Sequence, residues 1–402
     1  MSRFAPSRRS LLLAVPATLA LGLLGCAPEP EAPSRPSPSP APEPDPAADG
    51  APPTEAATLL LASLAHRTAV AVIDLARPDA EAVREIEVGA APWGVGVHTA
   101  ADGASTGYVA TAEGLAVVDL AVQDPAAARR TALVPYLHPA ARIGQGEYRP
   151  GGLGLAVAPD GSRVYVAVMP DTGAAFLEVF DTASASWIGS VPVGTRPFDV
   201  LVAPDGSWAA SVDHDSFTVT VVDAETLAVT THEVAPFGTE GGLASWEKTH
   251  YGVVEPAGTI LLPVQGQVIV RLDPRSGRTE TISSAANSHA HGTALAGTRL
   301  LTVGTGDFGS ATGGPNLSVR DIAVPELSGT SEWVVPLRVP HETVAVWRDA
   351  AGAEFAAVAG GNTREEGWDG ITLVPLDAPG AAPSRELPVP GYPQAIVSFP
   401  GQ

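Results

Sequence analysis

The chain has one cysteine, Cys26, in 402 residues. Disulfides within the chain and thiolate-built metal sites are excluded by that count. Basic residues are also scarce: 23 Lys and Arg stand against 44 Asp and Glu, for a net charge of −21. A nucleic-acid partner needs a basic face, so this balance argues against one. It suits a solvated extracytoplasmic surface, or one whose summed field attracts cations. Beyond the first 25 residues no apolar run is long enough to cross a bilayer. Sustained helical periodicity is missing as well. What remains is a chain 45% hydrophobic, rich in glycine and proline, and long enough to bury a large all-β core.

The N-terminus reads as an address. "SRRSLLLAVPATLALGLLGC" carries the pair Arg8-Arg9, an apolar run from Leu11 to Leu24, and then Gly25-Cys26. The run suits a signal h-region and is too short for a spanning helix. "LLGC" resembles the lipobox of bacterial lipoproteins, which implies that Cys26 is lipidated and becomes the new N-terminus. Ser7, Arg8, Arg9, Leu11 and Leu12 resemble the twin-arginine export signal; a general secretory lipoprotein with adjacent arginines fits equally. Removing residues 1–25 takes away three arginines and no acid, so the mature chain is more acidic still. Residues 26–57 follow as a Pro, Ala, Glu, Ser and Asp stretch, centred on "PEPEAPSRPSPSPAPEPDP". Such a composition buries too little apolar surface to order itself, so a disordered linker is expected.

From residue 58 the chain repeats. An apolar strand ending on aspartate recurs seven times, at Asp74, Asp119, Asp181, Asp223, Asp273, Asp321 and Asp377. The intervals run from 42 to 62 residues. Aspartate suits that place because its carboxylate accepts backbone N–H groups of the following turn. "VAPDGSRVYVAV" and "VAPDGSWAASV" read as strand, type I turn, strand. Four antiparallel strands per unit of about 50 residues make a propeller blade. The first unit lacks an inner strand, while the C-terminal "GYPQAIVSF" looks like an inner strand without a blade. Pairing them closes a ring and removes the open edge. The expected fold over 58–402 is therefore all-β, a seven-bladed β-propeller closed by its terminal segments.

The stretch "GTRPFDVLVAPDGSWAASVDHDSFTVTVVDAETL" is similar to the YVTN-repeat propellers, a family that includes YncE-like and lactonase-type seven-bladed proteins. The resemblance is clearest over 151–238 and implies the fold; it says little about activity.

The loops favour one face, called the top, where the inner strands begin. Long segments such as "LVPYLHPAARIGQGEYRPGG", "GTEGGLASWEKT", "GTGDFGSATGGPN" and "GGNTREEGWDG" collect there, and elaborated loops on a rigid scaffold are where binding sites usually lie. Histidines follow the same bias. Aligning the inner strands on their turns puts His250 and His291 at the position of Phe198, with His341 there or one residue before. His289 lies two residues from His291 on the same strand face, and "SVDHDSF" brings Asp213, His214 and Asp215 from a top loop of blade four. Several imidazoles meeting at a channel mouth, with no cysteine, suit Zn²⁺ or Cu²⁺; a wet, polar channel mouth also holds histidines without a metal. "THYGVV" and "AHGTALA" resemble inner strands of periplasmic zinc-chaperone propellers, which implies ligand roles for His250 and His291. The acidic histidine loop and disulfide of those proteins are missing here.

Other motifs fail in context. "GASTG" lies in a hairpin turn rather than a strand-to-helix elbow, and "GTGDFG" opens no helix. "HETVA" lacks the second histidine of a zincin helix. Two alternatives stay open. Lactonase-type propellers imply His, Glu and Arg chemistry at the channel mouth, for which Arg149, Arg196, Glu247 and Glu342 are placed. An envelope interaction platform would use Tyr136, Tyr148, Trp246 and Trp368 as anchors. The expectation is a monomeric, lipid-anchored binding protein on the extracytoplasmic side of a bacterial membrane, not an enzyme. It holds zinc or copper at His250, His291 and His341 with His289 or His214 assisting, and no organic cofactor.

Overall fold

A computed structural model describes residues 58–121, 127–234, 248–264, 266–288, 290–304, 314–326, 328–329, 331–360, 368–378 and 383–401. The signal, Cys26 and linker readings lie outside these residues. The described strands form seven four-stranded antiparallel sheets arranged as blades. Blade one takes Thr58–Leu64, Ala69–Ile73 and Val83–Glu87 from the start of the domain and its inner strand, Pro393–Pro400, from the end. Thr58 pairs with Pro400 and Ala62 with Ile396, so the expected closure is found. The inner strands of blades two to seven are Val95–Thr99, Gly151–Val157, Pro197–Val202, Val253–Val254, Ala290–Ala296 and Thr343–Arg348.

The marker aspartates do what their spacing predicts. Asp74, Asp119, Asp181, Asp223, Asp273 and Asp321 each accept a backbone N–H two or three residues ahead, at 2.7 to 3.1 Å. Each therefore ends a third strand and sets the turn into the outer strand.

The core lies in the wedges between blades. Among the described residues there is one apolar cluster for every blade interface. Leu60, Ala62 and Ile73 of blade one meet Ala345, Trp347 and Ala357 of blade seven. Tyr165, Leu177 and Val179 of blade three meet Val200, Ala209 and Val222 of blade four. The contact of blades five and six is smaller, resting on Leu261, Ile269, Ile282, Leu300 and Ile322. A middle strand is covered on both faces by its neighbours, which is why Arg163–Met169 is buried at five consecutive positions and reads as an unbroken apolar run.

An eighth cluster, Ala65, Trp93, Leu153 and Phe198, joins blades one to four at the inner strands' upper ends. Register shifts occur at the same point in the inner strands of blades one, three, four and six. Such bulges re-aim a side chain, here toward the channel. Closure by Pro393–Pro400 predicts that deleting residues 393–402 leaves blade one without its inner strand. That variant should lose the single cooperative thermal transition and aggregate. A truncated protein that melts cooperatively within a few degrees of the full chain would contradict the closure.

Candidate functional site

The channel mouth gathers imidazoles from three blades. His214 leaves blade four just after Trp208–Asp213, His250 precedes the inner strand of blade five, and His291 lies in the inner strand of blade six. All three are buried. Their rings form a column: His214 and His250 centroids are 4.3 Å apart with planes at 31°, and His250 and His291 are 4.2 Å apart at 17°. Phe198 packs beside the pair, 4.9 Å from His214 and 5.5 Å from His250. The apolar floor of Trp93, Leu153 and Phe198 and the polar imidazoles thus share one space.

His214 is the best defined. Its Nδ1 lies 2.8 Å from Asp215 Oδ1. A carboxylate only accepts, so Nδ1 carries the hydrogen. Nε2 is buried and has no hydrogen-bond partner. Burial pulls this imidazole below its ordinary ionisation range against the pull of Asp215, so the ring is neutral and Nε2 offers a lone pair. Asp215 also accepts from Arg196 Nε and lies 3.5 Å from Lys248 Nζ. Burial works to raise this carboxyl, but His214 and Arg196 outweigh it and hold it at about 2. The Arg196 guanidinium in turn sits 4.2 Å over the Tyr148 ring.

His341 is elsewhere. Glu342 N donates to Ala359 O as Trp93 N donates to Ala110 O, so Glu342 takes the inward position and His341 the one before it. A one-residue offset on a strand reverses the side chain. His341 Nδ1 donates to Val339 O at 2.7 Å, and Nε2 lies 3.3 Å from Thr372 Oγ1. The ring lines a cavity of about 320 Å³ with Arg338, Trp368 and Glu386, away from the column. Of the two placements expected for His341 the structure takes the one a residue earlier, so the imidazoles it brings together are those of His214, His250 and His291. His289 lies outside the described residues, as do Glu247 and Trp246.

The remaining candidates are tied into structure. Asp213 is fully buried and accepts the hydroxyls of Ser211, Thr218 and Thr220 at 2.7, 3.1 and 2.6 Å; burial raises it to about 6. Arg149 donates to the carbonyls of Pro150 and Gly152 at 2.9 and 2.5 Å. Gln394 Nε2 donates to Glu342 Oε2 at 2.5 Å. Tyr136 is buried with its hydroxyl on the carbonyls of Thr111 and Gly114, so it is packing rather than an anchor. Tyr148 is 41% exposed, on the same loop as Leu137 at 50% and Ile143 at 62%.

Sequence reasoning missed Lys248, the Phe198 stack and Tyr251. Tyr251 is kept neutral chiefly by burial, with the carboxylates of Glu342, Glu147 and Asp199 adding to that. It stands next to His250, and the adjacency of "KTHYG" was its only signal. Asp199, also missed, accepts Gly252 N at 3.0 Å and Val200 N at 2.9 Å, pinning blade four to blade five under the column. Burial raises it to about 7.

The donor chemistry of the column fits a transition metal: three imidazoles, one of them with its outer nitrogen on a carboxylate. The ring orientations are stacked rather than convergent, and among the described residues no three His, Cys, Asp or Glu groups stand in a metal-holding arrangement. A shared ion at about 2.0–2.1 Å from each nitrogen requires the rings to turn out of the stack.

No family model matches the chain, and no curated protein matches it. Solved structures do. Hydrazine synthase of Kuenenia stuttgartiensis is similar at 15% identity and a TM-score of 0.52, over 75% of this chain and 88% of that one. A protein of unknown function from Desulfotomaculum acetoxidans is similar at 9% identity and a TM-score of 0.59, over 86% and 99%. At these identities the likeness is one of fold: this chain is a seven-bladed β-propeller.

The pH response follows from the buried groups. Burial drops His341 to about 4, against about 6.5 when unfolded. Its contribution is full above 6.5 and is lost as pH falls toward 4. Asp213 and Asp199 run the other way, since their raised values favour the fold at low pH and penalise it as pH rises through 6 to 7. Thermal melts of the wild type and His341→Gln from pH 7.5 to 4.5 separate the two. Acid should cost the wild type more, by an amount on the order of 2 kcal/mol and a few degrees. Parallel curves would refute it.

Proposed function

We propose that the chain is an exported, membrane-anchored β-propeller that binds zinc or copper at the channel mouth, with His214, His250 and His291 as ligands. The observation that carries this reading is the stacking of three buried imidazoles, with the His250 ring 4.3 Å from that of His214 and 4.2 Å from that of His291. The His214 pair with Asp215 strengthens it, because it leaves a buried nitrogen lone pair unused. His250 and His291 are also the two residues on which the zinc-chaperone resemblance rests. The overall repeat keeps its resemblance to YVTN and lactonase-type propellers. His289, two residues from His291, stays a candidate fourth ligand.

A bound ion supplies a Lewis-acidic positive charge; the chain supplies the rest. Burial keeps His214 neutral, so protons compete weakly for its nitrogen. The chain's net charge of −21 attracts cations through its summed field. Cys26, as a lipidated N-terminus, and the linker 26–57 would hold the propeller off the membrane. No helix among the described residues is long and apolar enough to cross one. A hydrolase reading loses support because Arg149 is spent on backbone carbonyls and Glu342 on Gln394. An envelope-platform reading keeps one specific observation, the exposed Leu137, Ile143 and Tyr148 on a single loop.

Elemental analysis of exported protein purified without a polyhistidine tag tests the proposal. Near-stoichiometric zinc or copper is expected, abolished by His250→Ala with His291→Ala and retained by His341→Ala. Metal-free wild type that also ignores added zinc and copper would promote the platform reading instead.

A further inference from the structure

Asp215 is partly buried beside the column, and its carboxylate faces three side chains. Oδ1 takes the His214 Nδ1 hydrogen at 2.8 Å and lies 3.5 Å from Lys248 Nζ; Oδ2 accepts from Arg196 Nε. We propose that Asp215 is a positioning residue: it locks His214 in the Nδ1–H form and so presents Nε2 to a metal ion shared with His250 and His291. This rests on the metal-binding reading.

The geometry carries the assignment in three steps. An ionised carboxylate has no hydrogen to give, so the contact permits one neutral tautomer. The ring is then held at its edge by Asp215 and packed against the rings of Phe198 at 4.9 Å and His250 at 4.3 Å. Finally, the opposite nitrogen, Nε2, is buried without a hydrogen-bond partner, an unusual state for a buried polar atom and one that a ligand resolves. Arg196 and Lys248 explain why Asp215 orients a ligand instead of acting as one. Two cations hold it charged and engaged, and the stacked Tyr148 ring fixes Arg196 in place. A carboxylate behind a ligating imidazole sets both ring orientation and donor strength.

Asp215→Asn is the informative change. Arg196 only donates, so the amide oxygen turns to Arg196 and the NH₂ group to His214 Nδ1. Nδ1 then has to accept, which moves the ring hydrogen to Nε2 and blocks the ligating lone pair. Nitrogen-15 NMR of the metal-free protein reads the tautomer directly, and competition titration with zinc chloride reads affinity. The wild type should show His214 with Nδ1–H. Asp215→Asn should show Nε2–H and bind zinc 10- to 100-fold more weakly, while its thermal melt confirms folding. Asp215→Glu, which keeps a carboxylate, should recover the wild-type tautomer and part of the affinity. Nε2–H in the wild type overturns the proposal, as does an Asp215→Asn protein with unchanged tautomer or unchanged zinc affinity. If Asp215→Asn does not fold, the wild-type and Asp215→Glu tautomers decide alone. Absence of zinc binding in the wild type would sink the metal reading and with it this role, whereas the wild-type tautomer separately establishes whether Asp215 orients the ring.

Discussion

Ring closure is the constraint on which everything else depends. Pairing of Thr58–Leu64 with Pro393–Pro400 joins chain segments more than 300 residues apart into one sheet. A linear array of blades would leave an edge open and its end wedges uncovered. Once closed, each wedge has an apolar cluster of its own, including the one between blades seven and one. Seven inner strands then face a common axis, and residues far apart in sequence meet there. His214, His250 and His291 are neighbours only because blades four, five and six are.

The channel mouth is where that scaffold tolerates conflict. Most buried polar groups are fully occupied: Asp213 by three hydroxyls, Asp199 by two backbone N–H groups, Arg320 by a set of carbonyls. These pins hold strands and blades together at the cost of desolvating charge. The histidine column departs from the pattern. It packs polar rings face to face against Phe198, buries a nitrogen of His214 with nothing to bond, and places Arg196 and Lys248 nearby. A buried nitrogen lone pair left without a partner is a place where a ligand is expected.

Fold and site were legible to different depths. The repeat was readable because its markers have local causes: each aspartate caps a turn only a few residues away, and each blade keeps its own hairpins. Closure was readable from a missing strand at one end and a spare one at the other. Site residues depend instead on register, and register near the inner strands is altered by bulges and by hairpins of unequal length. Alignment on turns therefore placed His291 well but left His341 between two positions, and its neighbour Glu342 holds the inward one. Asp215 was visible beside His214, yet its pairing with Arg196 and Lys248 comes from three separate segments, and no spacing rule reports that. Asp213, in the same top-loop segment, faces back into blade four instead, to Ser211, Thr218 and Thr220.

The most direct test of the account is an anomalous-difference map from crystals of the zinc-loaded protein. It predicts one peak at about 2.0–2.1 Å from nitrogens of His214, His250 and His291, with the rings turned out of their stack and Asp215 still on His214 Nδ1. A peak at another site, or zinc-soaked crystals in which the column stays stacked with no peak beside it, would contradict the account.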